Sequence, residues 1–164
     1  MTSLISNIIS KMIAYFDGDV KRINHAMKVH SFAKSIGELE GVSEEKLKIL
    51  EVTAVLHDIG IKESERKYSS SAPKYQELEG PPVACDILKE FNLSKDFVDR
   101  VSYLIGNHHT HSKIDDIDFQ ILVEADFIVN IFEDCLEKEQ AKIIKQKYFK
   151  TSTGISFMES MYTK

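Results

Sequence analysis

A helix that is apolar on nearly every side has to sit in the middle of other helices, and Val52-Thr53-Ala54-Val55-Leu56 belongs to one. It runs into His57-Asp58, with Ile59 and Gly60 next. Two polar groups at the end of an apolar run suit a core poorly. They make sense where imidazole and carboxylate both bind something positive, and a divalent cation is the usual partner of that donor pair. The competing structural account is that His57 caps the helix C-terminus and Asp58 opens a loop.

The rest of the chain carries the same helical period. Leu4, Ile5, Ile8, Ile9, Met12, Ile13 and Phe16 recur at i, i+3 and i+4, with Ser3 as the N-cap. A second helix is expected after Asp19, through Ile23, Met27, Phe32 and Ile36 to a stop at Gly41. Ser43 and the acidic pair Glu44-Glu45 open a third, roughly 44–58. From Lys62 to Glu79 the period breaks in a charged stretch with Pro73, which reads as a long loop and a candidate lid. Pro81-Pro82 are expected to open the next helix, through Ile87, Leu88 and Phe91. Ser94 caps another, which closes at Asn107-His108-His109-Thr110-His111. One helix from about 118 and one over roughly 137–149 follow, then a polar tail with Gly154.

No strand pair is credible. The expected fold is all-α, a single-domain helical bundle of about six or seven helices over residues 1–164. Within it, 1–18 form an amphipathic N-terminal helix, 19–135 a metal-binding core, and 136–164 a C-terminal helix and tail. The first helix has two open uses, capping the core or forming a homodimer surface, and core packing is expected. A net charge of -5 argues against an extended nucleic-acid surface. No run reaches membrane length, so no membrane partner is expected. The start lacks the basic region of a secretory signal, which points to the cytoplasm, with Cys85 and Cys135 as reduced core thiols.

His25 lies in the middle of the second helix, where a hydrogen-bonded core histidine is the ordinary alternative. Asp126 is flanked by Val123, Ala125, Phe127 and Ile128, and an unpaired buried carboxylate is costly; it needs Lys, Arg or a metal. His25, His57, Asp58 and Asp126 come from three helices and would close two imidazoles and two carboxylates around one ion. Helical bundles build metal sites in this way.

Arg22-x-x-His25-x-x-x-Val29, Ala54-Val55-Leu56-His57-Asp58-Ile59-Gly60 and Ala125-Asp126 together resemble the H…HD…D signature of the HD-domain metal-dependent phosphohydrolase superfamily, from about Arg22 to Asn130. The resemblance implies a helical bundle of the HD-domain type, a bound divalent metal (Mn, Mg, Co, Ni, Zn or Fe), and hydrolysis of a nucleotide or another small phosphorylated substrate. Relatives with two metals usually carry a histidine shortly before the glycine that leads into the next helix. Here that stretch reads Tyr75-Gln76-Glu77-Leu78-Glu79-Gly80. Glu77 or Glu79 could supply oxygen in its place, and the ligands expected for a second metal are Glu79, His108 and His109, the two histidines being otherwise a polar helix end. His111 is expected to cap free carbonyls, and His30 to be an ordinary helix histidine.

For charge developing on phosphate, the donors expected from the resemblance are Lys62, four residues beyond Asp58, and Arg22, one turn before His25. Many relatives place the lysine one residue nearer, where this chain has Ile61. Arg66 and Lys74 are weaker candidates. Glu77 or Glu79 is expected either to bind metal or to act as a catalytic base. Tyr68 and Tyr75 have stacking on a base as one use and packing as the other. Glu124 is expected to face away in a salt bridge. Two further readings go with the resemblance: a nucleotide-sensing metal-binding module without turnover, and a di-iron oxygenase on the same scaffold.

Overall fold

The computed structural model describes residues 3–164, and among them are nine α-helices and no strand. They are α1 Leu4–Phe16, α2 Val20–Leu39, α3 Glu44–Leu56, α4 Ile61–Tyr68, α5 Pro73–Leu88, α6 Lys95–Ile105, α7 Ile117–Glu133, α8 Lys138–Tyr148 and α9 Ser152–Tyr162. The class is the one expected, with more helices than the six or seven the period suggested. Helix starts follow side-chain chemistry. Ser3, Asp19, Ser43 and Ser94 each accept from a backbone N–H three residues on. Gly41, at a φ of 70°, sits just beyond the end of α2, where a left-handed residue is cheapest as glycine.

α3 is the axis of the bundle. Every residue from Ile49 to Leu56 is buried, and the helix touches α1, α2, α6 and α7. α2 lies between α3 and α7. This arrangement carries the turn after α3 into the interior, facing the middle of α2 and of α7. α1 buries Ile8, Met12 and Phe16 in the same core, so it caps the bundle. No helix among the described residues is long and apolar enough to cross a membrane.

Two stretches differ from the sequence reading. The expected loop 62–79 is α4 plus the first half of α5, joined by a short bend; Tyr68 and Tyr75 stack on each other across it, 4.1 Å apart. Pro73, not Pro81-Pro82, stands in the first turn of α5. Pro81 and Pro82 lie inside the helix, where their missing N–H groups would normally break it. Packing overrides that cost: Ala84 and Leu88 are buried in the core, and the helix backbone presses against Gly60. A Cβ on Gly60 would meet Gly80 N at 2.5 Å and Gln76 O at 2.7 Å, so the two backbones cross at glycine-only distance beside Asp58.

The expected polar tail is α9. Glu124 explains it and corrects its own reading, because it is fully buried and forms no salt bridge among the described residues. Its carboxylate accepts from Gln120 Nε2, from the backbone N–H groups of Lys150 and Thr151, and from Thr151 Oγ1. That ties the start of α9 to α7. Cys135 is exposed and Cys85 half-buried, so neither is the core thiol expected.

Candidate metal centre

α2 supplies His25, the turn after α3 supplies His57 and Asp58, and α7 supplies Asp126. His25 Nε2 lies 3.1 Å from His57 Nε2, 3.3 Å from Asp58 Oδ2 and 3.1 Å from Asp126 Oδ1. His57 Nε2 lies 3.5 Å from each of the same two carboxylate oxygens. Donors bound at about 2.0–2.2 Å to one ion stand roughly 3–3.5 Å from one another. The spacing matches a coordination shell.

The hydrogen bonds on the far side of each ring say which atoms carry lone pairs. His57 Nδ1 is 2.7 Å from the carbonyl of Ala54, which can only accept, so Nδ1 holds the proton and Nε2 is bare. His25 Nδ1 donates to Glu133 Oε2 at 2.9 Å, leaving its Nε2 bare as well. Two lone pairs at 3.1 Å repel unless a cation lies between them. With no metal, the cation must be a proton. Burial opposes charge on His25, but the carboxylates of Asp126 and Asp58 outweigh it and lift the imidazole from 6.5 to about 9. Burial likewise pushes Asp58 and Asp126 upward and is overcome: His57 holds Asp58 well below the usual carboxylate range, and His25 with His57 does so for Asp126.

A third imidazole repeats the pattern. His108 is buried, its Nδ1 donates to the carbonyl of Ile105 at 2.7 Å, and its Nε2 lies 3.3 Å from Asp58 Oδ1. That Nε2 has no hydrogen bond, a costly state for a buried nitrogen. Asp58 thus turns one oxygen towards His25 and His57 and the other towards His108. His109 Nε2 donates to the amide oxygen of Gln76 at 3.0 Å, which leaves Nδ1 as its donor atom towards a ligand. Burial and neighbouring His108 lower His109 to about 4, so it is neutral at physiological pH. His25, His57 and Asp58 form one group able to hold an ion; Asp58, His108 and His109 form another. The donor set fits a divalent cation in the first group, and its orphaned neighbour His108 fits a second ion as well.

The structure brings His25, His57, Asp58, Asp126, His108 and His109 together and leaves out five other candidates. Glu79 is bound by Lys67 Nζ at 2.8 Å and by the Tyr68 hydroxyl at 3.0 Å, and lines a separate cleft with Tyr15 and Glu90. Lys62 Nζ donates to the carbonyl of Tyr15 at 2.8 Å. Glu77 accepts from His109 N and from Thr110 Oγ1, which fixes the end of the histidine segment. Arg66 is paired with Glu63, and Lys74 lies over the Tyr75 ring. Arg22 does border the site. With Lys21, Gln76, Asn130 and Glu133 it rims a cleft of about 250 Å3 that opens on His25 and Asp58. Its guanidinium is held by Asp19 and Glu65. His30 pairs with Glu51 at 2.9 Å, and His111 packs on Phe127 and Tyr148 instead of capping a helix.

Three supporting residues were missed in the sequence: Glu133, Gln76 and Asn130, whose Nδ2 donates to Asp126 Oδ1 at 3.0 Å. Asn130 and Glu133 follow Asp126 by four and seven residues on α7 and so share its face, a signal the sequence offered.

The model of the family described as HD domain matches residues 22–149. No curated protein matches the chain. Among solved structures, one of a predicted HD superfamily hydrolase from an uncultured Thermotogales bacterium is similar, with a TM-score of 0.67 and 24% identity over 97% of this chain and 83% of that one. At that identity the likeness is one of fold.

Proposed function

The chain belongs to the HD-domain family, and on that premise we propose that it is a metal-dependent phosphohydrolase acting on a nucleotide or related small phosphate ester. The observation that carries the reading is the pair of bare Nε2 atoms 3.1 Å apart, framed by two carboxylates. His25, His57, Asp58 and Asp126 would hold the ion. When bound, the ion supplies a water acidified towards neutral pH and a polarised phosphoryl oxygen.

The chain's own groups do the rest. Glu133, and the carbonyls of Ala54 and Ile105, fix the three imidazoles with Nε2 inward. Asn130 holds the Asp126 carboxylate in register. Arg22 is the cation at the rim of the cleft. Its partner Glu65 is 45% exposed, so the guanidinium can exchange that contact for two phosphoryl oxygens as charge grows on them. Gln76 occupies His109 Nε2 and keeps the ring's other nitrogen turned to the site.

The test is metal content of untagged wild type and Asp58→Ala, followed by phosphate release from a panel of nucleotides and phosphate esters. Stoichiometric metal, lost in the variant together with phosphate release, is expected. Absence of stoichiometric metal in wild type after reconstitution overturns the reading. Metal without release from any ester would favour the sensing module.

A further inference from the structure

His111 is the one histidine of the 108–111 segment that the metal centre does not use, and it lines a larger cleft. That cleft, about 520 Å3, is bordered by His111, Ser112, Gln120, Lys147, Tyr148 and Lys150. Its wall is aromatic: the His111 ring lies 4.7 Å from Tyr148 and 5.3 Å from Phe127, and Phe127 stacks on Tyr148 at 4.7 Å. The same two segments serve both sites, since Phe127 follows Asp126 on α7 and His111 follows His108 by three residues.

The cleft's electrostatics run against those of the chain. The chain carries a net charge of -5, and Lys142 and Lys145 of α8 each have a carboxylate partner. Lys147 and Lys150 have none among the described residues; Lys147 lies only over the Tyr148 ring, 5.1 Å away. No carboxylate lines this cleft. Glu124 lies buried beneath it, its oxygens already bound to Gln120, Lys150 N and Thr151. Two unpaired ammonium groups, an imidazole and a hydroxyl around an aromatic wall are a site for a phosphate-like dianion attached to a flat or apolar body.

We infer that this cleft binds a second phosphoryl group of the substrate, so that the substrate class is a bisphosphorylated compound in place of a simple monoester. The inference rests on the phosphohydrolase reading for the chemistry at the metal centre, but the anion site stands on its own residues. One end of the substrate would react in the cleft over His25 and Asp58. The other would be held by Lys147, Lys150 and Ser112, which sets both the length and the charge of what is accepted.

The probe is inorganic pyrophosphate, titrated by calorimetry into metal-free protein in the presence of chelator, so that the metal centre contributes nothing. One site is expected in wild type and in Lys142→Ala, weakened at least ten-fold in Lys147→Ala/Lys150→Ala. The metal-loaded enzyme should prefer bisphosphorylated over monophosphorylated esters, and the same double variant should reduce that ratio of kcat/KM at least ten-fold. No binding of pyrophosphate, or equal binding by the double variant, overturns the inference, as does an unchanged ratio. Pyrophosphate binding that is lost in the variant, with no ester hydrolysed by either protein, would overturn the hydrolase reading and leave the anion site standing.

Discussion

Glu133 gives the sharpest test of the metal centre, because it is no ligand and acts only through the far nitrogen of His25. Glu133→Ala removes the acceptor 2.9 Å from His25 Nδ1. The ring then loses what fixes its tautomer and holds Nε2 inward, and loss of such an outer partner costs about 10–100-fold in metal affinity. The readout is the rise in Tm on adding metal, each protein compared with its own metal-free form. With free metal at about one hundred times the wild-type Kd, wild type gains ~2.7 kcal/mol, a variant weakened ten-fold ~1.4 and one weakened a hundred-fold ~0.4. At roughly 2–4 °C per kcal/mol for a chain of this size, that is ~5–11 °C for wild type and ~1–6 °C for the variant. Glu133→Gln keeps an acceptor but not its charge and should fall between them. A metal-induced rise in Glu133→Ala equal to the wild-type rise would refute the argument that imidazole orientation, fixed from outside, builds this site. Lys28→Ala is the control, since Lys28 touches only the other oxygen of Glu133, at 3.5 Å.

Gly60→Ala tests how the turn is placed. Its Cβ would meet backbone atoms of α5 at 2.5–2.8 Å, which cannot yield as a side chain does, so a loss of about 1–3 kcal/mol in chemical denaturation is expected, together with weaker metal binding. Unchanged stability would mean that α4 and α5 do not cross as described. Arg100 joins α6 to the segment before and at the start of α7, holding Asp115 and the nearly fully buried Asp118. Arg100→Ala leaves the buried Asp118 carboxylate with the Phe119 N–H but without its guanidinium and should cost about 1–3 kcal/mol, against little for Asp99→Ala on the same helix. The Arg100 hydrogen bonds hold Asp115 below its ordinary 3.8. A carboxyl depressed by folding contributes stability above its unfolded value and loses it as pH falls through the folded one, so Asp115→Asn should flatten stability against pH below about 4.

The ligands were legible because their chemistry conflicts with their surroundings. Asp126 stands among Val123, Ala125, Phe127 and Ile128, and His57-Asp58 closes a run that is otherwise apolar, so each asked for a cation before any fold was known. Glu133 raised no such conflict. It sits in Phe132-Glu133-Asp134 at a helix end, where an acidic residue reads as solvated, although its spacing from Asp126 placed it on the same face. The helices α4, α5 and α9 were hidden for a different reason. Their local signals argue for a break: serines, a charged run and Pro81-Pro82, or a polar tail. What holds them is distant: the Gly60–Gly80 crossing in one case and the Glu124 carboxylate on Thr151 in the other. Contacts of that range leave no period in the sequence.

The site itself divides along the same line. Which side chains bind is written in residue types, whereas how they are aimed is set by whatever lies behind them. For His57 and His108 that is a backbone carbonyl, of Ala54 and of Ile105. Each carbonyl stands three residues before its histidine, at the C-terminal end of α3 or α6, where the last carbonyls of a helix have no intrahelical donor. Any residue at position 54 or 105 offers the same oxygen. The aim of these two rings therefore follows from where the helix stops, and a substitution that lengthened α3 by one turn would take up the Ala54 oxygen and turn His57 away without altering a single ligand.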